Sequence, residues 1–306
     1  MQKTPVLLIL FNRPKYTTLI IRQIKKYSPN KLYIHCDGPR EGHQFDKKNC
    51  EEIRNIIKKE ISWNCKKKII FQKKNIGLRK SAISAINFLF KNETKGIILE
   101  DSTFPNKSFF EFCDKLLIKY RTNKKISIIS GYNPIIDYKI VESYTFSELP
   151  KFWGWATWRS SWRLSNWKMK NWPKNKKSEW MKHKLKKPFF FRFYWEKIFQ
   201  DTFSEKTKTW DYNVVYSNWF NNTYSIVPKY NLVRNLDIND KINTHKNNFK
   251  LKLQNKELEF PLMHPKKILV NQNYDKIFYK KFYNFKFFFF NIYIARIFKN
   301  LFKKFI

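Results

Sequence analysis

The chain has 306 residues, 42% of them hydrophobic and 28% charged, and its 62 Lys and Arg against 24 Asp and Glu give a formal net charge of +38. This composition excludes a low-hydrophobicity disordered chain and a membrane-spanning one, and the length suits one large domain or two smaller ones. The surplus attracts phosphates, anionic lipid or nucleic acid, but Lys, Asn, Ile and Phe are also the residues an AT-rich genome encodes, so charge alone names no partner.

From Pro5 the chain reads PVLLILFNRP, an apolar run stopped by Asn12, Arg13 and Pro14, after which Tyr16, Leu19, Ile20, Ile24 and Tyr27 recur at helical spacing. The run Val6 to Phe11 is too short to span a membrane and lacks the long apolar stretch and small-residue exit of a cleavable signal. It reads as a buried strand. A second strand is expected over Leu32 to Cys36, ending in a turn at Asp37 and Gly38, then a helix over Lys47 to Ile61. Lys68 to Gln72 follows as a strand, NIGLRKS as a loop, Ser81 to Lys91 as a helix with Ile83, Ile86, Phe88 and Phe90 available for burial, and Gly96 to Leu99 as a strand. The alternation predicts an α/β fold with a mainly parallel, Rossmann-like sheet covered on both faces.

In such sheets ligands bind beyond the strands' carboxyl ends, where Arg13, Asp37, Arg79, Glu100, Asp101 and Ser102 all fall. Taken singly, Asp37 would cap a turn and Arg13 would make a surface ion pair; their shared placement points to a site. Glu100 and Asp101 leave a buried strand together, a position tolerated where a cation or hydrogen-bond donors compensate them, so they are candidates to hold a divalent metal or a ribose. The four cysteines, Cys36, Cys50, Cys65 and Cys113, form no C-x-x-C pair, which argues against structural zinc and for a reducing compartment. His35 and His43 flank Asp37 without the ligand set of a zinc site.

After Ile126 to Gly131, another strand and turn, tryptophan becomes dense: Trp153, Trp155, Trp158, Trp162, Trp167 and Trp172. Most are expected in the core, although such rings also stack on sugars and bases. Lys174 to Lys187 reads as a loop or solvated helix, and Phe189 to Phe203 as an aromatic helix. From Tyr274 to Ile306 aromatics interleave with Lys286, Arg296, Lys299, Lys303 and Lys304, without Gly or Pro. That matches a basic helix lying in an anionic membrane interface; a C-terminal helix packed on the domain is the other reading.

The strings IILEDS, FFEFCDKLL, ISIISGYNP, WGWATWRSSW, TWDYNVVYSNW, IVPKYNLVRN and NTHK, in that order over roughly residues 4 to 248, resemble glycosyltransferases of GT-A fold, of the N-acetylglucosaminyltransferase I type and its bacterial relatives. The resemblance implies a nucleotide-sugar-binding half over 1–131, an acceptor and catalytic half over 132–250, and an extension over 251–306. It implies Asp211 as the catalytic base that takes the acceptor's proton. Arg13, Asp37 and Arg79 would serve as donor contacts together with Glu100, Asp101 and Ser102, and Trp153, Gly154, Trp155 and Trp210 would lie on the acceptor side. In that family the last carboxylate of an E-D-D motif holds manganese. Ser102 stands at that position here, a poor ligand for Mn²⁺ or Mg²⁺, leaving Asp101, Glu100 and His245 as metal candidates. Read from the residues alone, Asp211 would cap a helix starting at Tyr212.

The implied function is inverting transfer from a nucleotide-diphosphate sugar to a glycan or lipid-linked acceptor in polysaccharide, lipopolysaccharide or capsule biosynthesis. The expected location is cytoplasmic, at the inner face of a bacterial membrane through the tail. Two other readings stand beside it: a basic, aromatic nucleic-acid-binding protein, for which no recognised motif appears, and a relative of the transferases that has lost activity, which Ser102 would explain.

Overall fold

The computed structural model describes residues 3–184, 189–236 and 256–282. The chain forms two compact units, one of residues 1–167 and 208–271, the other of 168–207 and 272–306.

In the first unit, β1 (Val6–Leu10), α1 (Pro14–Tyr27), β2 (Lys31–Cys36), α2 (Gln44–Glu60), β3 (Lys66–Phe71), α3 (Leu78–Asn92) and β4 (Lys95–Glu100) follow the expected alternation. Next come β5 (Thr103–Pro105), α4 (Lys107–Lys119), β6 (Ile126–Ser130), β7 (Tyr144–Ser147), β8 (Trp155–Trp158) and α5 (Arg159–Arg163). The second unit contributes α6 (Trp172–Lys176), α7 (Glu179–Lys184) and α8 (Phe189–Phe203); the first resumes with α9 (Asp211–Phe220), β9 (Tyr224–Pro228) and β10 (Val233–Asn235), and α10 (Gln272–Phe282) belongs to the second.

The main sheet has eight strands in the order β3-β2-β1-β4-β8-β6-β9-β7, and β10 pairs with β5 in a small second sheet. β3, β2, β1 and β4 run parallel, as do β6 and β9. The mainly parallel α/β sheet is as expected. The sequence did not reveal β8, which enters antiparallel between β4 and β6. Val6, Leu8 and Leu10 pack with Ile20, Ile24, Ile53 and Phe109 of α1, α2 and α4, while Leu7 and Ile9 pack with Ala82, Ala85, Ile86 and Leu89 of α3. The period of two therefore feeds a separate core on each face. β3 is one of the two edge strands of this sheet, and its Lys66, Lys67 and Lys68 are exposed, charges that discourage edge-to-edge pairing.

Two helices start three residues earlier than expected. α2 begins at Gln44 rather than Lys47, because buried Asp46 in its first turn bonds to other loops; hydrophobic periodicity does not register such a contact. α3 begins at Leu78, inside the expected loop. In the second unit, Trp172 stacks edge-on against Phe199 and donates to Gln200, and Phe191 of α8 meets Tyr279 of α10 with ring centroids 4.0 Å apart. The expected tail helix is described to residue 282; its remainder, 283–306, lies outside the described residues. No helix among the described residues is long and apolar enough to cross a membrane.

Candidate functional site

β2 and β3 lie on one side of β1 and β4 on the other, so the chain reverses its direction of travel across the sheet between β1 and β4. The carboxyl ends of strands flanking such a point form a crevice. Arg13 leaves β1 and Asp101 leaves β4, and they meet there: Arg13 Nη1 donates to Asp101 Oδ1 at 3.0 Å. The Asp101 side chain is largely covered while that of Arg13 is 39% exposed, so a fixed cation stands at the mouth of the crevice. Ser102 is buried and its carbonyl accepts from Leu236 N, extending the β5–β10 pairing beneath the crevice. Glu100 is half-buried and pairs in register with Ile9.

Asp37 ends β2 and knits two loops together. Its Oδ1 accepts from the amides of Gly38 and Ile76, and Oδ2 from the side chain of Asn75. Gly38 makes this approach feasible, since a Cβ there would stand 2.5 Å from the backbone carbon of Lys74. Asp46 makes a parallel link, accepting from Asn12 Nδ2 at 2.6 Å and from Arg40 Nε at 2.6 Å, which ties the loop after β1 to the loop after β2. The adjacent guanidinium holds the Asp46 carboxyl down to about 2. Because the folded value lies below the ordinary 3.8, the link stabilises the fold above that pH and its contribution fades as the pH falls toward 2. Asp46→Asn is expected to cost about 1 to 2 kcal/mol at neutral pH. Urea unfolding midpoints of the two proteins should converge as the pH is lowered from 4 toward 2.

Around the site, burial removes other titratable groups from consideration. His35 is fully buried between Gln72 and Ser81, and burial pushes its pKa down. Burial likewise pushes the Cys36 thiol up to about 12 and Cys50 up to about 11, which leaves both as poor nucleophiles.

Asp211 opens α9 at the same edge of the sheet. Its Oδ1 accepts from Thr209 Oγ1 and from the amide of Tyr212, and it lies in the first helical turn, where a carboxylate is favoured by the helix dipole. Arg79, at the start of α3, donates to the Thr209 carbonyl at 2.9 Å and to Asn213 Oδ1 at 2.6 Å, binding the beginnings of α3 and α9 to each other. Trp210 is buried and stacks on Trp155 at 5.6 Å, with Phe152 and Trp162 against it. Trp155 in turn pairs with Ile98 of β4, so this stack ties the residue before Asp211 to the strand that leads into Asp101. Gly154 (φ 58°) turns the chain into β8, where an added Cβ would be 2.7 Å from Val233 Cγ1.

The structure thus brings Arg13 and Asp101 into contact, with Glu100 and Ser102 beside Asp101 in the chain, sets Gly154 against Thr103 and Leu99, and starts α9 after the Trp210–Trp155 stack. It turns Arg79 toward protein acceptors and buries the rings of Trp155 and Trp210 in the core; Trp153 is partly exposed and lies 4.4 Å from the ring of Tyr132. His245 lies outside the described residues. Sequence reasoning missed Asn213, buried and bonded to Arg79 and to the carbonyls of Asn166 and Trp167. The available signal was an amide among the apolar residues of TWDYNVV.

The donor set does not make a metal site among the described residues. No group of three His, Cys, Asp or Glu converges there, Asp101 is already paired with a guanidinium, and a hydroxyl stands where a second carboxylate would be needed. Glu100 continues the alternation that sends Ile98 to the opposite face from Leu99, so it shares the face of Trp155, whereas Asp101 turns to Arg13.

No protein-family model matches the chain, and no curated protein matches it. Among solved structures it is similar to 4-diphosphocytidyl-2C-methyl-D-erythritol synthase from Anaerococcus prevotii, with a TM-score of 0.31 and 7% identity over 53% of this chain and 74% of that one. HddC from Yersinia pseudotuberculosis gives 0.29 and 10% over 51% and 77%. UDP-glucose pyrophosphorylase complexed with UDP-glucose gives 0.25 and 10% over 49% and 59%. Each likeness spans about half of this chain and assigns it no activity.

Proposed function

We propose that the chain is an inverting glycosyltransferase of GT-A type that moves a sugar from a nucleotide-diphosphate donor to a surface glycan or a lipid-linked acceptor. The observation that carries the reading is the Arg13–Asp101 pair at the switch point of the sheet. The ordered motifs of the sequence support it.

In this reading the donor diphosphate lies against Arg13, whose planar fork suits phosphate oxygens and whose aim Asp101 fixes. Asp37 keeps Oδ2 capacity for an N–H of the base beside the single bond from Asn75. Asp211 takes the proton of the acceptor hydroxyl as its oxygen attacks the anomeric carbon. The bond to the diphosphate breaks on the opposite face, the nucleoside diphosphate leaves with the electron pair, and the configuration inverts. Preorganised donors at the leaving oxygens supply the charge stabilisation. Trp153 lines the acceptor side, and Arg79 acts through the segment that carries Asp211. In this reading the remainder of the basic aromatic tail, 283–306, brings the protein to anionic membrane where a lipid-linked acceptor would reside, whereas Tyr274, Phe278 and Tyr279 of α10 are buried.

A panel of nucleoside diphosphates and their sugars, with and without manganese, tests the reading by thermal shift and by release of nucleoside diphosphate. One nucleoside diphosphate should raise the unfolding midpoint, and Arg13→Gln should weaken its binding by about tenfold or more. If none binds, the proposal fails.

A further inference from the structure

A concavity of about 320 Å³ opens at the carboxyl ends of β2 and β3, and Arg13, Asp37, Glu100, Asp101 and Ser102 are not among its lining residues. Arg40, His43, Lys47, Lys73 and Lys74 line it, against a single acid in the lining, Glu41. Arg40 is already neutralised by Asp46. Among the described residues, by contrast, the side-chain ammoniums of Lys47, Lys73 and Lys74 form no ion pair or hydrogen bond. Three uncompensated ammoniums around one hollow repel one another, and a multivalent anion relieves that repulsion.

The floor of the hollow is rigid. Asn75 N donates to the Pro39 carbonyl at 3.1 Å, Asn75 Nδ2 to the Gly38 carbonyl at 3.1 Å, and Asp37 fastens Gly38 and Ile76 from below. The lysines therefore project from loops whose ordering has been completed by folding, which lowers the cost of binding. The seventeen-residue helix α2 begins at the wall, and its N-cap residue, His43, makes no side-chain capping bond, so the positive end of the helix dipole adds to the same field. The volume is at the low end of small-ligand sites, about 300 to 1,000 Å³, too small for a polymer.

We infer that this concavity is an anion site for the phosphate or diphosphate group of a small ligand, distinct from the donor crevice. The group could be carried by a free phosphorylated molecule or by a phospholipid headgroup; Phe45, 83% exposed and next to the lining residue Gln44, would meet the acyl region in the second case.

The test uses the full chain, inorganic pyrophosphate as the probe in titration calorimetry, and co-sedimentation with phosphatidylcholine vesicles containing phosphatidylglycerol. The variant carrying Lys47→Gln, Lys73→Gln and Lys74→Gln should lose pyrophosphate affinity by about tenfold or more. The equal-charge control Lys115→Gln, Lys124→Gln and Lys125→Gln should retain it. A normal thermal midpoint identifies the loss as local. Arg13→Gln should still bind pyrophosphate at the second site, which separates this inference from the donor reading. Vesicle binding that falls in the lysine variant and in Phe45→Ser identifies a lipid headgroup as the source; vesicle binding untouched by both identifies a free phosphate compound. Equal pyrophosphate affinity in the lysine variant and the wild type, or an equal loss in the control, overturns the inference.

Discussion

Asp211→Asn is expected to lower turnover by about 10²- to 10⁴-fold while leaving nucleoside diphosphate affinity unchanged. The amide keeps the shape of the side chain and can still receive the hydrogen bond from Thr209, so the start of α9 should hold its place. What it loses is the ability to accept a proton at neutral pH, and a sugar hydroxyl is too weak a nucleophile to attack without giving one up. Single-turnover rates with saturating donor measure this directly. Arg79→Gln should show a smaller fall with the same unchanged donor affinity, because its guanidinium touches the Thr209 carbonyl and Asn213. Undiminished turnover in Asp211→Asn would remove the catalytic assignment, and weakened donor binding in Arg79→Gln would restore that arginine to the nucleotide.

Trp155→Ala should cost about 3 to 5 kcal/mol of stability. The ring is 1% exposed and lies among Phe152, Trp162 and Trp210, so its removal leaves a cavity beneath a strand that is held on both sides. Offset and edge-on aromatic pairs add to the loss. Trp155→Phe should cost far less. It keeps most of the packing and removes an indole N–H that is buried without a hydrogen-bond partner among the described residues, a donor whose desolvation the fold now carries. Urea unfolding followed by far-ultraviolet circular dichroism distinguishes the two variants; similar midpoints would show that Trp155 is not a keystone. Because Trp210 stacks on the same ring, Trp155→Ala should also reduce turnover beyond its effect on the folded fraction.

Much of the first half of the fold was legible because strands buried on both faces must be continuously apolar, as in VLLIL and GIILE, and their helices carry a 3.6-residue stripe. β8 was not legible. Its WATW is four residues long, and whether such a segment is core filling or a strand is decided by β4 and β6, which flank it. Of the site, the sequence marks Arg13 and Asp101 as residues following buried strands, and their contact follows once β1 and β4 are neighbours. The tie from Arg79 to Asn213 spans 134 residues, beyond the reach of local pattern. The lysines of the second concavity were hidden by abundance: in a chain of net charge +38, the pairs Lys47–Lys48 and Lys73–Lys74 look like any other solvated face. In the sequence Asp37 suits a turn or a ligand equally; that it staples two loops depends on where Asn75 and Ile76 come to rest.

The antiparallel insertion of β8 has a consequence for how the chain comes off the ribosome. The Lys95–Glu100 strand is complete more than fifty residues before its neighbour exists, so during synthesis its outer row of amides and carbonyls stays unpaired beside an apolar surface. Only the arrival of Trp155–Trp158 seals that margin, from the opposite direction, and joins the early strands to the later ones. Nascent fragments that stop short of this point carry an open template for sticking to one another, so the strand on whose Trp155 the ring of Trp210 stacks is also the seam on which solubility of the newborn chain depends.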